Sequence, residues 1–215
     1  MIQQIGKLHI ITDTILQSRF SCIELAELAI RGGADTIQFR QKNGSTKELI
    51  SNSQKIKHLC IEAGISFVVN DRLDVAIAVD ADGVHLGQDD FPIPLARKIL
   101  PEDTLIGGSA ATIEEVRRCV EEGADYVGFG PVFPTASKED AGPVSGINKL
   151  KEVVDASPVP IIAIGGITPE NIRKVLEAGA AGIAVISTVC CAEDPTEATQ
   201  NLLNAMQRGN TEGPE

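Results

Sequence analysis

Short apolar runs alternate with longer segments whose apolar residues recur every three or four positions, and this alternation repeats eight times along the chain. An uninterrupted apolar run fits a strand covered on both faces, and the three-four spacing fits an amphipathic helix. The runs place strands at Leu8–Ile11, Thr36–Arg40, Ile65–Asn70, Gly83–Leu86, Thr104–Gly108, Tyr126–Phe129, Val159–Ile164 and Gly182–Ile186. The first helix starts from the cap residue Ser21 and closes on Gly32-Gly33; the second spans Thr46–Ala63 and stops at Gly64. Further helices follow over Leu73–Val79, Ile93–Leu100, Thr112–Glu122 and Ile147–Ala156. The seventh opens at Thr168-Pro169-Glu170, a cap residue followed by Pro at the first helical position, and the last covers Asp194–Met206. The segments Gly33-Ala34-Asp35, Ala81-Asp82-Gly83, Gly123-Ala124-Asp125 and Gly179-Ala180-Ala181 echo one another just before four of the strands.

Strict strand-helix alternation with right-handed crossovers describes a parallel sheet. Eight units in a chain of 215 residues predict a single-domain α/β protein, a (β/α)₈ or TIM barrel over residues 1–206, with 207–215 as a flexible C-terminal tail. The alternative is an open doubly wound sheet, which is disfavoured because no G-x-G-x-x-G opens the first helix.

In a barrel of this kind the site lies at the carboxyl ends of the strands. Strand two leaves as Gln38-Phe39-Arg40-Gln41-Lys42, so Gln38, Arg40 and Lys42 share one face while Phe39 points toward the helices. Two cations on one inward face repel unless an anion joins them; the plainer reading is an exposed pair at a strand end. Asn70-Asp71 ends strand three, and Gly87-Gln88-Asp89-Asp90 follows strand four. Taken alone, each carboxylate is more often a helix cap than a ligand. Together, opposite Arg40 and Lys42, they favour a magnesium-diphosphate site. Strand five offers Gly107-Gly108-Ser109, strand seven Gly165-Gly166 and strand eight Ile186-Ser187. His85 sits among apolar neighbours and reads as structural, and no Ser-His-Asp or Cys-His pairing suggests itself.

After strand six comes a loop, through Ser145, too long for a plain connection. Its Thr135, Ser137 and Lys138 can hold an anion; the alternative is a mobile surface loop. Two anion sites thus face one mouth, one of cations plus metal and one of backbone and hydroxyl groups. That suits an enzyme joining two phosphorylated small molecules, or an isomerase acting on one.

Composition narrows the partners. A net charge of −11 argues against nucleic acid and anionic membranes. No apolar run reaches the length of a membrane helix, and the N-terminus lacks the cationic and apolar segments of a signal peptide. Cys22, Cys60, Cys119, Cys190 and Cys191 are odd in number and without C-x-x-C spacing, which fits free thiols and a cytoplasmic location. A homo-oligomer is compatible with all of this.

QFRQK, VVNDR, GVHLGQDD, GGSA, GFGPVFPTASK, AIGGI and VIS, in this order and each at a strand exit, resemble the thiamine-phosphate synthase family. The resemblance implies a transferase that couples hydroxymethylpyrimidine diphosphate to a thiazole monophosphate with Mg²⁺. Carried over, Gln38, Phe39, Arg40, Gln41, Lys42 and Asn70 would hold the pyrimidine diphosphate, with Ser109 and Lys138 completing the pocket. Arg40, Lys42, Ser109 and Lys138 would be the catalytic set, and Asp71 and Asp90 the Mg²⁺ ligands. Thr135, Ala136, Ser137, Gly166, Ile186 and Ser187 would take the thiazole phosphate. Gln41 stands where many members carry an acid and Ser137 where many carry Thr. Two rivals follow from the same resemblance. One is a thiazole tautomerase, disfavoured because Ala111 stands where that group has a histidine. The other is a non-catalytic sensor of thiazole or thiamine phosphate.

Overall fold

The computed structural model describes residues 5–137 and 142–208. Eight parallel strands close in sequence order: β1 (Leu8–Ile11), β2 (Thr36–Phe39), β3 (Ser66–Asn70), β4 (Gly83–Leu86), β5 (Leu105–Ala110), β6 (Tyr126–Phe129), β7 (Ile161–Ile164) and β8 (Gly182–Val185). Closure is made where Leu8 pairs with Ile183 and Ile10 with Val185. Between the strands run α1 (Cys22–Arg31), α2 (Thr46–Ala63), α3 (Leu73–Ala78), α4 (Ile93–Ile99), α5 (Ile113–Glu121), α6 (Gly146–Ala156) and α7 (Ile172–Glu177). The short α8 (Ser187–Cys190) and α9 (Pro195–Arg208) follow β8. This is the (β/α)₈ barrel that the alternation predicts.

Side chains alternate along each strand. Ile37, Phe39, Phe67, Val69, Ile106 and Phe129 join the large core between barrel and helices. Ile11, Tyr126, Ile162, Ala184 and Ile186 turn inward into a smaller cluster.

The repeated Gly-Ala-Asp element has a structural reason. Asp35 accepts hydrogen bonds from the Lys7 and Leu8 amides, Asp82 from Phe67 and Asp125 from Ile106, so each carboxylate satisfies an amide within one residue of the start of the preceding strand. These bonds gather at the amino-terminal face, away from the mouth.

Ser21 caps α1 in a reciprocal box with Glu24, and Gly64 ends α2 in the left-handed region. Most expected bounds lie within one or two residues of the observed ones, and two of the differences concern helices near the carboxyl end. The seventh helix begins at Ile172, because the Asn171 side chain accepts from the Thr168 amide and donates to the Gly166 carbonyl, closing a turn where Pro169 was expected to start the helix. The last helix runs on through Arg208, two residues past Met206, and the remainder of the expected tail lies outside the described residues.

Candidate active site

A cavity of about 450 Å³ opens at the carboxyl ends of the strands. Gln38, Arg40, Asn70, Ser109, Thr135, Ser137, Gly166, Ile186 and Ser187 all line it. Its far wall is apolar, built by Ile11, Ile162, Ile164 and Ala184.

The cations of strand two do not confront each other unpaired. Arg40 is bound by Asp13, whose side chain is 1% exposed, and Lys42 lies 2.5 Å from Asp71. Asp13, at the exit of β1, is a site residue that the spacing of the sequence does not announce. Its second oxygen accepts from the amides of Ile15 and Leu16. The buried Nε of Arg40 has no partner among the described residues, which leaves one donor available to an incoming acceptor.

Asp71 and Asp90 are not helix caps. The cap positions of α3 and α4 are Arg72 and Pro92, neither with a side-chain cap bond. Asp71 instead adopts a left-handed φ of 64°, with its amide bonded to the His85 carbonyl. Asp90 accepts from the Gly87 amide at 2.7 Å. Partial burial and the adjoining Asp71 carboxylate push Asp90 above the usual carboxylate range. Among the described residues no group of three or more metal-ligating side chains gathers, so these two carboxylates suit an ion whose remaining ligands come from water or substrate.

The second subsite joins three elements. Ser137 Oγ lies 2.8 Å from Ser187 Oγ and 3.1 Å from Thr135 Oγ1, bringing the loop after β6 onto the exit of β8. Gly165 and Gly166 both have positive φ, and a Cβ on Gly166 would stand 2.4 Å from the Pro134 carbonyl oxygen. They are therefore more than a tight turn: they let the loop after β6 lie against the exit of β7, where Val132 and Phe133 bond to Ile164 and Gly165.

Other expected positions fall elsewhere. The Phe39 ring is buried in the helix-side core at 1% exposure, so its side chain cannot touch a ligand in the cavity. Gln41 turns away to Asn43, Glu48 and Asn52, which also takes the departure from the family pattern out of the cavity. Ala136 is exposed and does not line it, and Lys138 lies outside the described residues. Lys42, Asp71 and Asp90 form a rim beyond the cavity wall. His85 is a correction in the other direction: it faces the cavity, with Nε2 2.9 Å from Ser109 Oγ and Nδ1 3.2 Å from Tyr126 Oη. Glu115 also lines the cavity, but its carboxylate accepts from the Ala111 and Thr112 amides and serves as a cap.

His9 forms part of the cavity lining deep in the barrel. Its Nε2 donates to the Gly6 carbonyl, and Nδ1 is buried without a partner among the described residues. Burial lowers its pKa, against smaller opposing effects of the Gly6 bond and Asp35. The folded chain thus keeps His9 neutral while the unfolded chain takes up a proton below about pH 6.5. This stabilisation is complete above that value and is lost as pH falls toward the lowered folded value, by up to ~1.4 kcal/mol per pH unit. His9→Leu is expected to flatten the dependence of urea stability on pH just below 6.5; an unchanged slope would assign it to another group.

A barrel whose mouth sets a rim of cations and carboxylates against a cradle of hydroxyls belongs to the class of enzymes that handle anionic small molecules. The family model described as thiamine monophosphate synthase matches residues 8–189. A thiamine-phosphate synthase of Salinibacter ruber is 52% identical over 95% of this chain and 90% of that protein, and one of Methanocella arvoryzae is 49% identical over 91% and 92%. The solved thiamine phosphate pyrophosphorylase of Pyrococcus furiosus superposes with a TM-score of 0.87 at 42% identity, covering 94% of this chain and 96% of that one. The chain belongs to the thiamine monophosphate synthase family.

Proposed function

We propose that the protein is a thiamine-phosphate synthase, a transferase joining hydroxymethylpyrimidine diphosphate to thiazole monophosphate with release of diphosphate. The carrying observation is the pairing of two unlike anion sites in one cavity: the Arg40 side, whose buried Nε has no partner among the described residues, and the Thr135–Ser137–Ser187 hydroxyls across the mouth. The C–O bond to the diphosphate breaks, leaving a pyrimidine-methyl cation, and the thiazole nitrogen supplies the electron pair for the new C–N bond. Arg40 and Lys42 stabilise the charge growing on the departing diphosphate, and Asn70 and Ser109 orient the pyrimidine half. Gln38 lines the same side. Gly166, Ile186 and the hydroxyl trio receive the thiazole phosphate.

Asp71 and Asp90 would hold Mg²⁺. When bound, it would neutralise charge on the diphosphate oxygens. Lys138 is assigned to the same diphosphate on the family pattern alone. The tautomerase reading lacks its base, since Ala111 lines the cavity where a histidine is required. A cytoplasmic location fits the five unpaired cysteines, four of them buried. Among the described residues no helix is long and apolar enough to cross a membrane.

The test combines both substrates with Mg²⁺ and follows diphosphate release together with thiamine phosphate. Equal formation of the two, abolished by EDTA, is the expected result. Binding without product would favour the sensor, and conversion of a thiazole tautomer alone would favour the isomerase.

A further inference from the structure

Three strands contribute a hydrogen-bonded row across the barrel interior: Tyr126 from β6, His85 from β4 and Ser109 from β5. The space for it is built in. A Cβ on Gly107 would come 2.2 Å from Tyr126 Cζ and 2.5 Å from His85 Nδ1, and one on Gly128 would come 3.0 Å from His85 Cε1. The two glycines therefore admit the phenol and the imidazole where any larger residue would collide with them. Gln88 and Cys119 both reach the Ser109 carbonyl, holding the residue at the strand exit.

The direction of the row follows from its buried end. Tyr126 is 1% exposed, and burial raises its hydroxyl above the ordinary phenol range, so the proton stays on oxygen. A buried O–H needs an acceptor, and among the described residues His85 Nδ1 is the one hydrogen-bond partner of Tyr126 Oη. The phenol therefore donates to Nδ1, which must be bare. The imidazole proton then resides on Nε2 and is donated to Ser109 Oγ. With one lone pair so occupied, the Ser109 hydroxyl turns its own proton toward the cavity it lines. The reverse direction would leave the phenol proton without an acceptor among the described residues.

We propose that Tyr126 and His85 are positioning residues that set Ser109 as a hydrogen-bond donor toward an acceptor atom of the bound pyrimidine diphosphate. The substrate half of this statement rests on the function proposed above; the tautomer half does not.

The tautomer can be read in the ligand-free protein from long-range ¹H–¹⁵N correlation spectra of its imidazoles, with His85 assigned through His85→Gln. A protonated Nε2 and bare Nδ1 are expected, and a proton on Nδ1 would overturn the inference. Tyr126→Phe keeps the ring and removes the donor. It should shift His85 toward a mixture of tautomers and lower kcat roughly tenfold, with little change in melting temperature or in KM for the thiazole phosphate. His85→Gln, whose amide can still donate to Ser109, should retain more kcat than His85→Asn, whose shorter amide cannot reach. Unchanged kcat in Tyr126→Phe, or equal loss in the two amide variants, would remove the positioning role. Because the spectra need no substrate, failure of the proposed reaction would leave the tautomer result standing.

Discussion

Asp13→Ala is expected to destabilise the fold by about 3–5 kcal/mol, the range for breaking a buried ion pair by deleting one partner. Asp13 is 1% exposed and Arg40 only 12%. The deletion leaves a guanidinium without its counter-ion in a site where its Nε already has no partner among the described residues. It also strips the acceptor from the Ile15 and Leu16 amides. Arg40→Ala should cost less stability, because Asp13 would keep both amide donors. In catalysis the order inverts: losing a cation aimed at the leaving group is expected to cost ~10²–10³-fold in kcat. Urea titrations of the two variants beside their kinetics would test this crossing. Stability within ~1 kcal/mol of the parent for Asp13→Ala would show that the pair contributes little to folding.

This Arg40–Asp13 pair also shows where reading the sequence stops. Periodicity delivers the eight-unit barrel, because burial on both faces of a parallel strand forces apolar runs and covering helices force the three-four spacing. Alternation along β2 places Phe39 outward, and the structure agrees; the contiguous family motif implies a ligand contact there that the strand geometry does not give its side chain. What local pattern cannot supply is the partner of a charge. Asp13 and Arg40 are 27 positions apart and meet only because β1 and β2 are neighbours in the closed sheet. His85, Ser109 and Tyr126 are separated by 24 and 41 positions, so a histidine among apolar residues looks structural until the barrel brings the strands together. The rim carboxylates are ambiguous for a related reason: an aspartate just after a strand reads equally as a cap, and only the fold, with Arg72 and Pro92 at the cap positions, excludes that role. The short α8 leaves no mark in the sequence pattern, because one helical turn carries no period.

Asp90→Asn is expected to lower kcat at least ~100-fold, since even residues behind a metal ligand cost 10–100-fold when changed, yet to leave the metal-free protein as stable as the parent or more so. Two carboxylates adjoin at the rim, and burial together with Asp71 raises Asp90. A carboxyl whose folded value lies above its unfolded value of about 3.9 weakens the fold once pH exceeds that value, and the penalty disappears as pH falls back. Asparagine is nearly isosteric and uncharged: its Oδ1 can accept from Gly87 and its amide can donate to Asp71, so the contacts survive while the repulsion does not. A ligand that binds only the folded state raises the melting temperature. Added Mg²⁺ should therefore raise that of the parent, and the variant should respond weakly or not at all. A destabilised metal-free variant, or one with the parent's full response to Mg²⁺, would mean that Asp90 serves the fold through Gly87 and does not hold the ion.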